Sequence, residues 1–460
     1  MKTMTSSNPR PLILVLNSGN PGRLSHLRQL HELGERYRLL LVLDSRAPAG
    51  WQTRFLPEHL LCDLSDLERS VPSLVKAIDG HGKPAGIINL SEFCVPLQAE
   101  LAEHYQLLGP SREAALIGRD KSRMRAFFQK IGLPVPRFHR LSRSNLGALR
   151  ELRLPIVLKP AFGGGSTLVQ RCETYEEAER EFARMELDAR KTYSGDSLLA
   201  GADKAGSNEF PFVAEELIGG EVLFPTRLPY RVGEISVESV HFGGQTRVLA
   251  IHDKPLPSNG PYFEEFVSST PSRIPSALQE QARDYVDRIH RGLGGGSYVL
   301  HTEFRTLADG LMPLEFGIRM GGAQIYQTVR LSTGIDFLEL LISISMGQTP
   351  EVQPGPTRPT IAHALWAPKT GELTRVRGYT HLDTTPYYVE HQFYDELGTR
   401  VKRAPLSSRA QGHVIYRAPP GESTAQQAFD RIEEELLRAL DELEFEVDGE
   451  RSTPISRNRV

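Results

Sequence analysis

The sequence has little cysteine and no long apolar run. Cys62, Cys94 and Cys172 are scattered and odd in number, and they lack the close spacing of metal ligands. We therefore expect reduced, buried thiols rather than disulfides or a zinc site. No stretch approaches the ~20 apolar residues of a membrane span, and the apolar run at residues 12–16 is too short for a signal peptide. These observations predict a cytoplasmic protein with no membrane partner.

An excess of charge of either sign is also absent. The 460 residues carry a formal net charge of −3, which gives no electrostatic reason to expect a nucleic-acid partner. Apolar residues make up 39% of the chain and charged residues 24%, as in ordinary globular proteins. A chain of this length accommodates about three domains.

Two nucleotide-binding motifs are missing. The sequence has no G-x-x-x-x-G-K-[ST], which excludes a P-loop protein. Asp44 ends the second predicted strand, as in many dinucleotide sites, but the turn after the first strand reads Gly19-Asn20-Pro21-Gly22 instead of G-x-G-x-x-G. Because Pro21 has no amide hydrogen, this turn argues against a site for NAD.

The order of the apolar segments predicts three domains. Residues 1–115 alternate strands and helices in the βαβ pattern of an open, mostly parallel sheet. Residues 116–351 mix helices with paired strands, and the stretch at 352–359 is typical of a linker. Residues 352–460 form a smaller mixed α/β domain that ends in a helix at about 424–443. The predicted fold class is therefore α/β and α+β.

Several predictions concern local structure. A helix is expected at 112–131, an amphipathic helix that covers the surface at 173–190, and a surface loop at 190–210. Ser423 and Gln426 have the spacing of a capping box at the start of the last helix.

The most informative run is YVLHTEFRTLADGLMPLEFGIRMGG. It predicts two strands, 298–306 and 311–316, around a turn at Asp309. Such a hairpin places Glu303 opposite Glu315 with Cβ atoms about 4.5–5.5 Å apart, where like charges repel. A cation between them would relieve the repulsion, and Mg²⁺ carried in by substrate phosphates suits two carboxylates with open coordination positions. A solvated hairpin with scattered charges is the alternative.

Two further segments have the composition of a nucleotide site. Lys159 ends a predicted strand and precedes a glycine loop, whose backbone N–H groups could turn toward an anion; its members are Gly163, Gly164, Gly165 and Ser166. An extended run offers backbone donors and acceptors to an adenine edge, through Glu215, Glu216, Leu217 and Ile218. Glu221 could accept from ribose hydroxyls. A plain hairpin turn and an edge strand with a charged turn are the alternatives.

These segments belong to an ordered series that resembles the ATP-grasp superfamily, and within it the carboxylate–amine ligases of the L-amino acid ligase group, typified by the bacilysin dipeptide ligase. The matching pieces are GRDKSRMRAFFQKIGLPVPRF, IVLKPAFGGGS, VAEELIGGEV, EISVESV, VLAIHDK, HTEF and PLEFGIRMGG, in family order from about residue 85 to 345. Residues 1–84 match only in fold pattern. The resemblance implies an ATP-grasp fold with an N-terminal open parallel-sheet domain, a lid-like subdomain at about 135–220 and a smaller C-terminal domain.

The resemblance also implies roles for individual residues. ATP would be bound by Lys121, Lys159, Gly163, Gly164, Gly165, Ser166, Glu215, Glu216, Leu217, Ile218, Glu221 and Lys254. Glu303 and Glu315 would bind Mg²⁺, with Mn²⁺ as an alternative. Glu315 and Arg319 would be catalytic, with Arg319 holding the acyl phosphate and the oxyanion that follows. Substrate contacts would come from Glu92, Glu265, Ser268, Gly321, Gly322 and Ala323.

The sequence departs from the family pattern at a few positions. Gly317 stands where many ATP-grasp enzymes have an asparagine ligand for a second metal, although the bacilysin-type ligase also lacks it. About a dozen residues separate Glu221 from EISVESV, so the ribose role is shared between Glu221 and Glu234, and we favour Glu221. Ser268 replaces a family histidine. Ala323 replaces a bulky residue, which suggests a wider pocket.

The function implied is ATP-dependent amide formation between two small molecules, with an amino-acid carboxylate and the amine of a second amino acid as the expected substrates. An acyl phosphate would be the intermediate, with ADP and phosphate released. One alternative is a ligase for another acid or amine. Another is a nucleotide-binding regulatory protein without catalysis, for which Gly317 is the best argument. A homodimer would fit the family.

Overall fold

The computed structural model describes residues 10–19, 21–47, 50–199, 209–256, 262–350, 352, 357–403, 409–422 and 425–454. The described strands are β1 Leu12–Asn17, β2 Arg38–Asp44, β3 His59–Cys62, β4 Gly86–Asn89, β5 Phe138–Leu141, β6 Ile156–Pro160, β7 Gln170–Cys172, β8 Phe212–Glu216, β9 Val232–Phe242, β10 Gln245–Pro255, β11 Val267–Thr270, β12 Tyr298–Leu307, β13 Gly310–Gly317, β14 Thr360–Leu365, β15 Gly371–Arg377, β16 Tyr388–Phe393, β17 Arg400–Val401, β18 Gly412–Arg417, β19 Glu444–Val447 and β20 Glu450–Ser452.

The described α-helices are α1 Leu24–Leu33, α2 Leu67–His81, α3 Val95–Tyr105, α4 Arg112–Arg119, α5 Lys121–Lys130, α6 Tyr175–Thr192, α7 Ser276–Gly292, α8 Ile325–Thr333, α9 Phe337–Ser345 and α10 Ala425–Glu442. Short 3-10 helices occupy Pro21–Arg23, Glu92–Cys94, Arg143–Glu151 and Tyr379–His381. Within the described part of the chain, no helix is long and apolar enough to cross a membrane. The three cysteines are free and buried, as expected.

The N-terminal strands form the predicted parallel sheet, in the order β3-β2-β1-β4. Every residue of β1 is buried because helices cover both faces of such a sheet, which explains its continuous aliphatic run. The side chains on its two faces join two different core clusters, with Ile13 and Val15 in one and Leu14 and Leu16 in the other. The carboxyl ends of β1 and β4 lie side by side at one edge.

Four antiparallel strands, β5-β8-β6-β7, form a separate sheet that we call the lid sheet. Helix α6 packs on it through Phe182 and Met185, which are fully buried. The predicted amphipathic helix is therefore present, and its apolar side chains build the core of this part. Residues 200–208 of the predicted loop at 190–210 lie outside the described residues.

The longest sheet, which we call the large sheet, has the order β13-β12-β9-β10-β11-β14-β18-β16. Within this sheet β11, which precedes the predicted domain boundary at residue 352, pairs with β14, which follows it. Strands from both sides of that boundary therefore share one sheet. The predicted capping box falls partly on Ser423, and the predicted linker includes 353–356; both positions lie outside the described residues. Helix α10 packs its apolar side chains, including Phe429 and Leu436, into the C-terminal core.

The helix expected at 112–131 is two helices, α4 and α5, separated at Asp120. The Asp120 side chain accepts hydrogen bonds from the backbone N–H groups of Ser122 and Arg123, at 2.9 and 3.3 Å. An aspartate in this position caps a helix N-terminus. The break makes Lys121 the first residue of α5 and turns it toward the cleft described below.

Candidate active site

A cleft lies between the lid sheet and the large sheet. The predicted site residues that line it are Lys121, Lys159, Gly163, Gly164, Ser166, Glu215, Leu217, Ile218, Glu265, Glu303 and Glu315. They come from segments nearly two hundred residues apart in the sequence. The structure therefore brings most of the predicted nucleotide-binding residues and both predicted metal ligands to one place.

Glu303 and Glu315 are directly paired across β12 and β13, as the hairpin predicted. A register shift follows Glu303, which leaves the pair at a local irregularity in the ladder. Glu315 Oε2 lies 3.2 Å from the Lys121 ammonium. Glu303 accepts a close hydrogen bond from Lys254 and lies 3.3 Å from His301 Nε2. Burial raises the pKa of Glu303, but Lys254 and His301 lower it by more, so the carboxyl stays ionised.

The two carboxylates fit a magnesium ion that completes its coordination with other oxygens. Both are hard oxygen donors on one wall of the cleft. Among the described residues, no group of three or more His, Cys, Asp or Glu could hold a metal ion by itself. Phosphate and water oxygens would therefore supply the remaining ligands, as is common for Mg²⁺.

The glycine loop at 163–166 closes one side of the cleft. Lys121 Nζ donates to the Gly163 carbonyl at 3.2 Å, which joins α5 to the loop. Gly163 has φ +148°, and a Cβ there would lie 2.7 Å from the Tyr193 hydroxyl, so only glycine fits. Gly165 and Ser166 follow with φ of +63° and +52°. This backbone supports the proposed anion-binding nest without filling it with side chains.

Lys159 and Glu215 form a buried pair on neighbouring strands of the lid sheet. The Lys159 ammonium contacts Glu215, which also accepts from Arg125 Nε at 2.8 Å. Burial raises the pKa of Glu215, but Arg125 and Lys159 lower it to about 2. The Glu216 carboxylate contacts Arg153 Nη2 at 2.9 Å. Because both carboxylates are engaged, only the backbone of this run is available for adenine.

Lys254 lies among three carboxylates. Its ammonium is 3.2 Å from Glu234, 3.0 Å from Glu265 and in close contact with Glu303. Lys254 and Glu234 are nearly fully buried, and Glu234 also contacts Arg305 Nη2 at 3.1 Å. A phosphate near Lys254 would replace some of these contacts.

Of the two predicted ribose ligands, Glu234 lines the cleft and Glu221 does not. Glu221 is exposed, and its backbone is fixed by Thr306, which accepts from the Glu221 N–H and donates to its carbonyl, each at 2.7 Å. Glu221 is not among the residues that line the cleft, whereas Glu234 is. The chain leaves the cleft after Ile218 and returns to it at Glu234 in β9.

Glu92 and Arg319 meet at the edge of the cleft. Arg319 Nε donates to Glu92 Oε2 at 2.7 Å, and Arg119 Nη1 lies 3.3 Å from Glu92 Oε1. Burial raises the pKa of Glu92, but Arg319 and Arg119 lower it by more. Arg119 was not predicted from the sequence as a site residue. Its side chain is fully buried and also contacts Asp196, which follows α6. Its place in the matching piece GRDKSRM was the available signal.

The segment after Arg319 forms what we call the 321–323 loop. The Gly321 N–H donates to Glu238 Oε2 at 3.1 Å, and Glu238 contacts the His301 ring. Ala323 has φ +47°, a left-handed conformation that is strained for any residue with a side chain. Ser268 is buried in β11 opposite Ala362 of β14 and is not among the residues that line the cleft.

Comparison with known proteins agrees with this architecture. A protein-family profile described as "ATP-grasp domain" matches residues 152–327. The alanine–anticapsin ligase of Bacillus subtilis (strain 168) is 29% identical over 282 residues, which cover 60% of this chain and 57% of that protein. The chain therefore spans little more than half the length of that relative. An uncharacterised protein of Sinorhizobium fredii is 24% identical over 97% of this chain and 86% of its own length.

The fold extends beyond the matched domain. The crystal structure of the L-amino acid ligase from Bacillus licheniformis superposes with a TM-score of 0.78 at 21% identity, and the match covers 96% of this chain and all of that one. The domain match, the sequence relatives and the fold agree with the resemblance found in the sequence. Residues 152–327 therefore match an ATP-grasp domain, and nearly the whole chain has the fold of the ligase from Bacillus licheniformis.

Proposed function

We propose that this protein is an ATP-dependent carboxylate–amine ligase that joins the carboxylate of one amino acid to the amine of another through an acyl phosphate. The observation that carries the proposal is that Lys121 and Lys159 line the same cleft as the paired carboxylates of Glu303 and Glu315. Lysines for phosphate and paired carboxylates for a divalent cation are what phosphoryl transfer needs. The similarity to an alanine–anticapsin ligase supports the same reaction class.

In the first step, a carboxylate oxygen of one substrate attacks the γ-phosphorus of ATP and ADP leaves. Lys121 and Lys159, which both line the cleft, would neutralise phosphate charge. Glu303 and Glu315 would hold Mg²⁺, which when bound neutralises and orients the phosphate oxygens. Glu234 would accept from the ribose hydroxyls. Leu217 and Ile218 would present backbone groups to adenine.

In the second step, the neutral amine of the other substrate attacks the acyl carbon. The C–N bond forms, phosphate leaves with the bridging oxygen, and the nitrogen loses one proton. Arg319 would stabilise the tetrahedral oxyanion, a contribution of roughly 3–4 kcal/mol per donor in comparable sites. The glycine loop would exclude water, which otherwise hydrolyses the acyl phosphate.

The test is to incubate the purified protein with ATP, Mg²⁺ and a pool of L-amino acids. Mass spectrometry should detect ADP and a dipeptide in equal amounts, with phosphate released. AMP and pyrophosphate in place of ADP would overturn the acyl-phosphate mechanism. Binding of ATP without any amide from a wide range of acids and amines would overturn the ligase assignment.

A further inference from the structure

Arg23 is a buried cation to which the proposed function gives no role. Only 6% of the residue is exposed, and it ends the short helix that follows β1. Its Nη1 donates to the carbonyl of Gly321, 298 positions away, at 2.9 Å, and to His26 Nε2 at 3.1 Å. Burial and the Arg23 charge lower the pKa of His26 well below its usual range, so the ring is neutral and accepts this bond.

The other edge of the Arg23 guanidinium is open. Within the described part of the chain, Nε and Nη2 of Arg23 donate to no residue, and no carboxylate forms an ion pair with it. The fully enclosed polar atoms that lack a partner include Nε of Arg119 and of Arg305, but neither atom of Arg23. The free edge is therefore not fully enclosed by the described residues. Nε–H and Nη2–H point the same way and match the two oxygens of a carboxylate.

The position of Arg23 agrees with a ligand site. In open sheets with parallel strands, ligands bind outside the carboxyl ends of the strands, where the chain order reverses. In the order β3-β2-β1-β4, this reversal lies between β1 and β4. Arg23 follows β1, Glu92 follows β4, and the hydroxyls of Ser18 and Ser91 join the two loops at 2.5 Å. Both loops contact the segment that follows β13, through Arg23 with Gly321 and through Glu92 with Arg319.

The charges around Arg23 favour an anion. Burial and the nearby Arg319 charge lower the pKa of Arg23 to about 9, against opposing contributions from Glu238 and Glu92. A buried cation with no carboxylate in contact loses hydration without full compensation. A ligand carboxylate would supply that compensation.

We propose that the Nε–Nη2 edge of Arg23 binds the carboxylate of the amine substrate, which survives the reaction, so that the enzyme accepts amino acids and rejects amines that lack this group. The inference rests on the proposed function. The reacting carboxyl must lie near Glu303 and Glu315 beside the phosphates, whereas Arg23 holds the carbonyl of Gly321, two residues beyond Arg319. The unreacted carboxylate is the one that this edge can reach.

The experiment compares an amino acid that the wild type uses as the amine substrate with its primary carboxamide, which has the same shape without the charge. We expect Arg23→Gln to lower kcat/KM for the amino acid by roughly 100-fold, because a bidentate charged contact is lost. The loss should lie in KM for the amine substrate. KM for ATP and kcat/KM for the carboxamide should change little.

Arg23→Lys keeps the positive charge but cannot form the bidentate contact, so its kcat/KM for the amino acid should lie between those of the wild type and Arg23→Gln. This variant also tests the proposal if Arg23→Gln does not fold.

Arg28→Gln, on the exposed side of α1, is the matched control and should behave as wild type. Equal losses for the amino acid and the carboxamide would overturn the proposal and make Arg23 only an anchor for Gly321. A wild type that joins amines but not amino acids would overturn it too, with the ligase assignment intact. A wild type that forms no amide would instead refute the proposed function.

Discussion

Arg319 donates through Nε to Glu92 Oε2 at 2.7 Å, although the two residues are 227 positions apart in the chain. This pair explains the glycine at position 317. A Cβ on Gly317 would lie 2.9 Å from Glu92 Oε2 and 3.3 Å from the Arg319 guanidinium carbon. A side chain at position 317 would require the Glu92 carboxylate to shift from its contact with Arg319. Gly317 is therefore no evidence that catalysis has been lost.

The first prediction concerns this contact. Gly317→Ala should displace Glu92 and Arg319 and reduce amide formation by roughly 100-fold, because small displacements of positioning groups have large effects on rate. The dissociation constant for ATP should stay within a few-fold, since the nearest atoms to a Cβ at position 317 belong to Glu92 and Arg319 and not to the residues proposed to bind ATP. Initial rates and a nucleotide-binding titration measure the two quantities.

Gly147→Ala is the control for Gly317→Ala, since a Cβ at position 147 meets nothing within 4 Å and the position is exposed. It should leave both quantities unchanged. A Gly317→Ala enzyme with a normal rate would show that the Glu92–Arg319 contact is not needed in the reacting complex.

The second prediction concerns the paired carboxylates. Glu315→Ala and Arg319→Ala should each abolish product, because one removes a ligand for the cation and the other removes the oxyanion contact. Circular dichroism should show an intact fold in both, since neither side chain belongs to the core. For Glu315→Ala, excess Mg²⁺ should restore part of the activity.

Glu113→Ala, an exposed carboxylate in α4, controls for a general loss of negative charge. Near-normal turnover in either site variant would mean that its assigned role is wrong.

The third prediction separates the two candidate ribose ligands. Glu234→Gln should raise KM for ATP by roughly 10- to 100-fold, since one charged hydrogen bond contributes about 1.5–3 kcal/mol. Glu221→Gln should leave that KM unchanged because the Glu221 side chain is exposed outside the cleft lining. Steady-state kinetics with varied ATP measure both. The reverse result would restore the assignment favoured by the sequence.

The sequence was informative where function depends on local pattern. The turn at Asp309 and the alternation of the flanking strands determine the register, so the opposition of Glu303 and Glu315 could be predicted. The break at Asp120 could also have been found, because aspartate followed by Lys-Ser-Arg is a good N-cap. The break was not predicted, because the helical spacing of apolar residues continues on both sides of Asp120.

What could not be predicted depends on contacts between distant segments. Nothing in the sequence near Glu92 indicates that Arg319 and Arg119 occupy both of its oxygens. The choice between Glu221 and Glu234 depends on where the inserted segment returns to the sheet, which a single sequence does not reveal. The sequence around Arg23 also gives no sign that its guanidinium donates to the carbonyl of Gly321.

The last prediction concerns stability against acid. The folded-state pKa of Glu215 is lowered from 4.5 to about 2, because Arg125 and Lys159 outweigh the effect of burial. A lowered carboxyl pKa contributes stability that is fully present above pH 4.5 and is lost as the pH falls toward 2. At 1.36 kcal/mol per pKa unit, the contribution is on the order of 3 kcal/mol. The free energy of unfolding of the wild type should therefore fall between pH 4.5 and pH 3.

Glu215→Gln tests this directly. At pH 7 it should destabilise the protein by about 3–5 kcal/mol, because Lys159 and Arg125 are left buried without their partner. Its unfolding free energy should also depend less on pH below 4.5. Glu216→Gln is the matched control: its partner Arg153 has a side chain that is 84% exposed, so the pair should contribute at most about 1 kcal/mol. Chemical denaturation followed by circular dichroism across this pH range measures both variants. If Glu215→Gln shows the same acid dependence as the wild type, then Glu215 is not the group that titrates, and the pairing of Lys159 with Glu215 does not hold the lid sheet together.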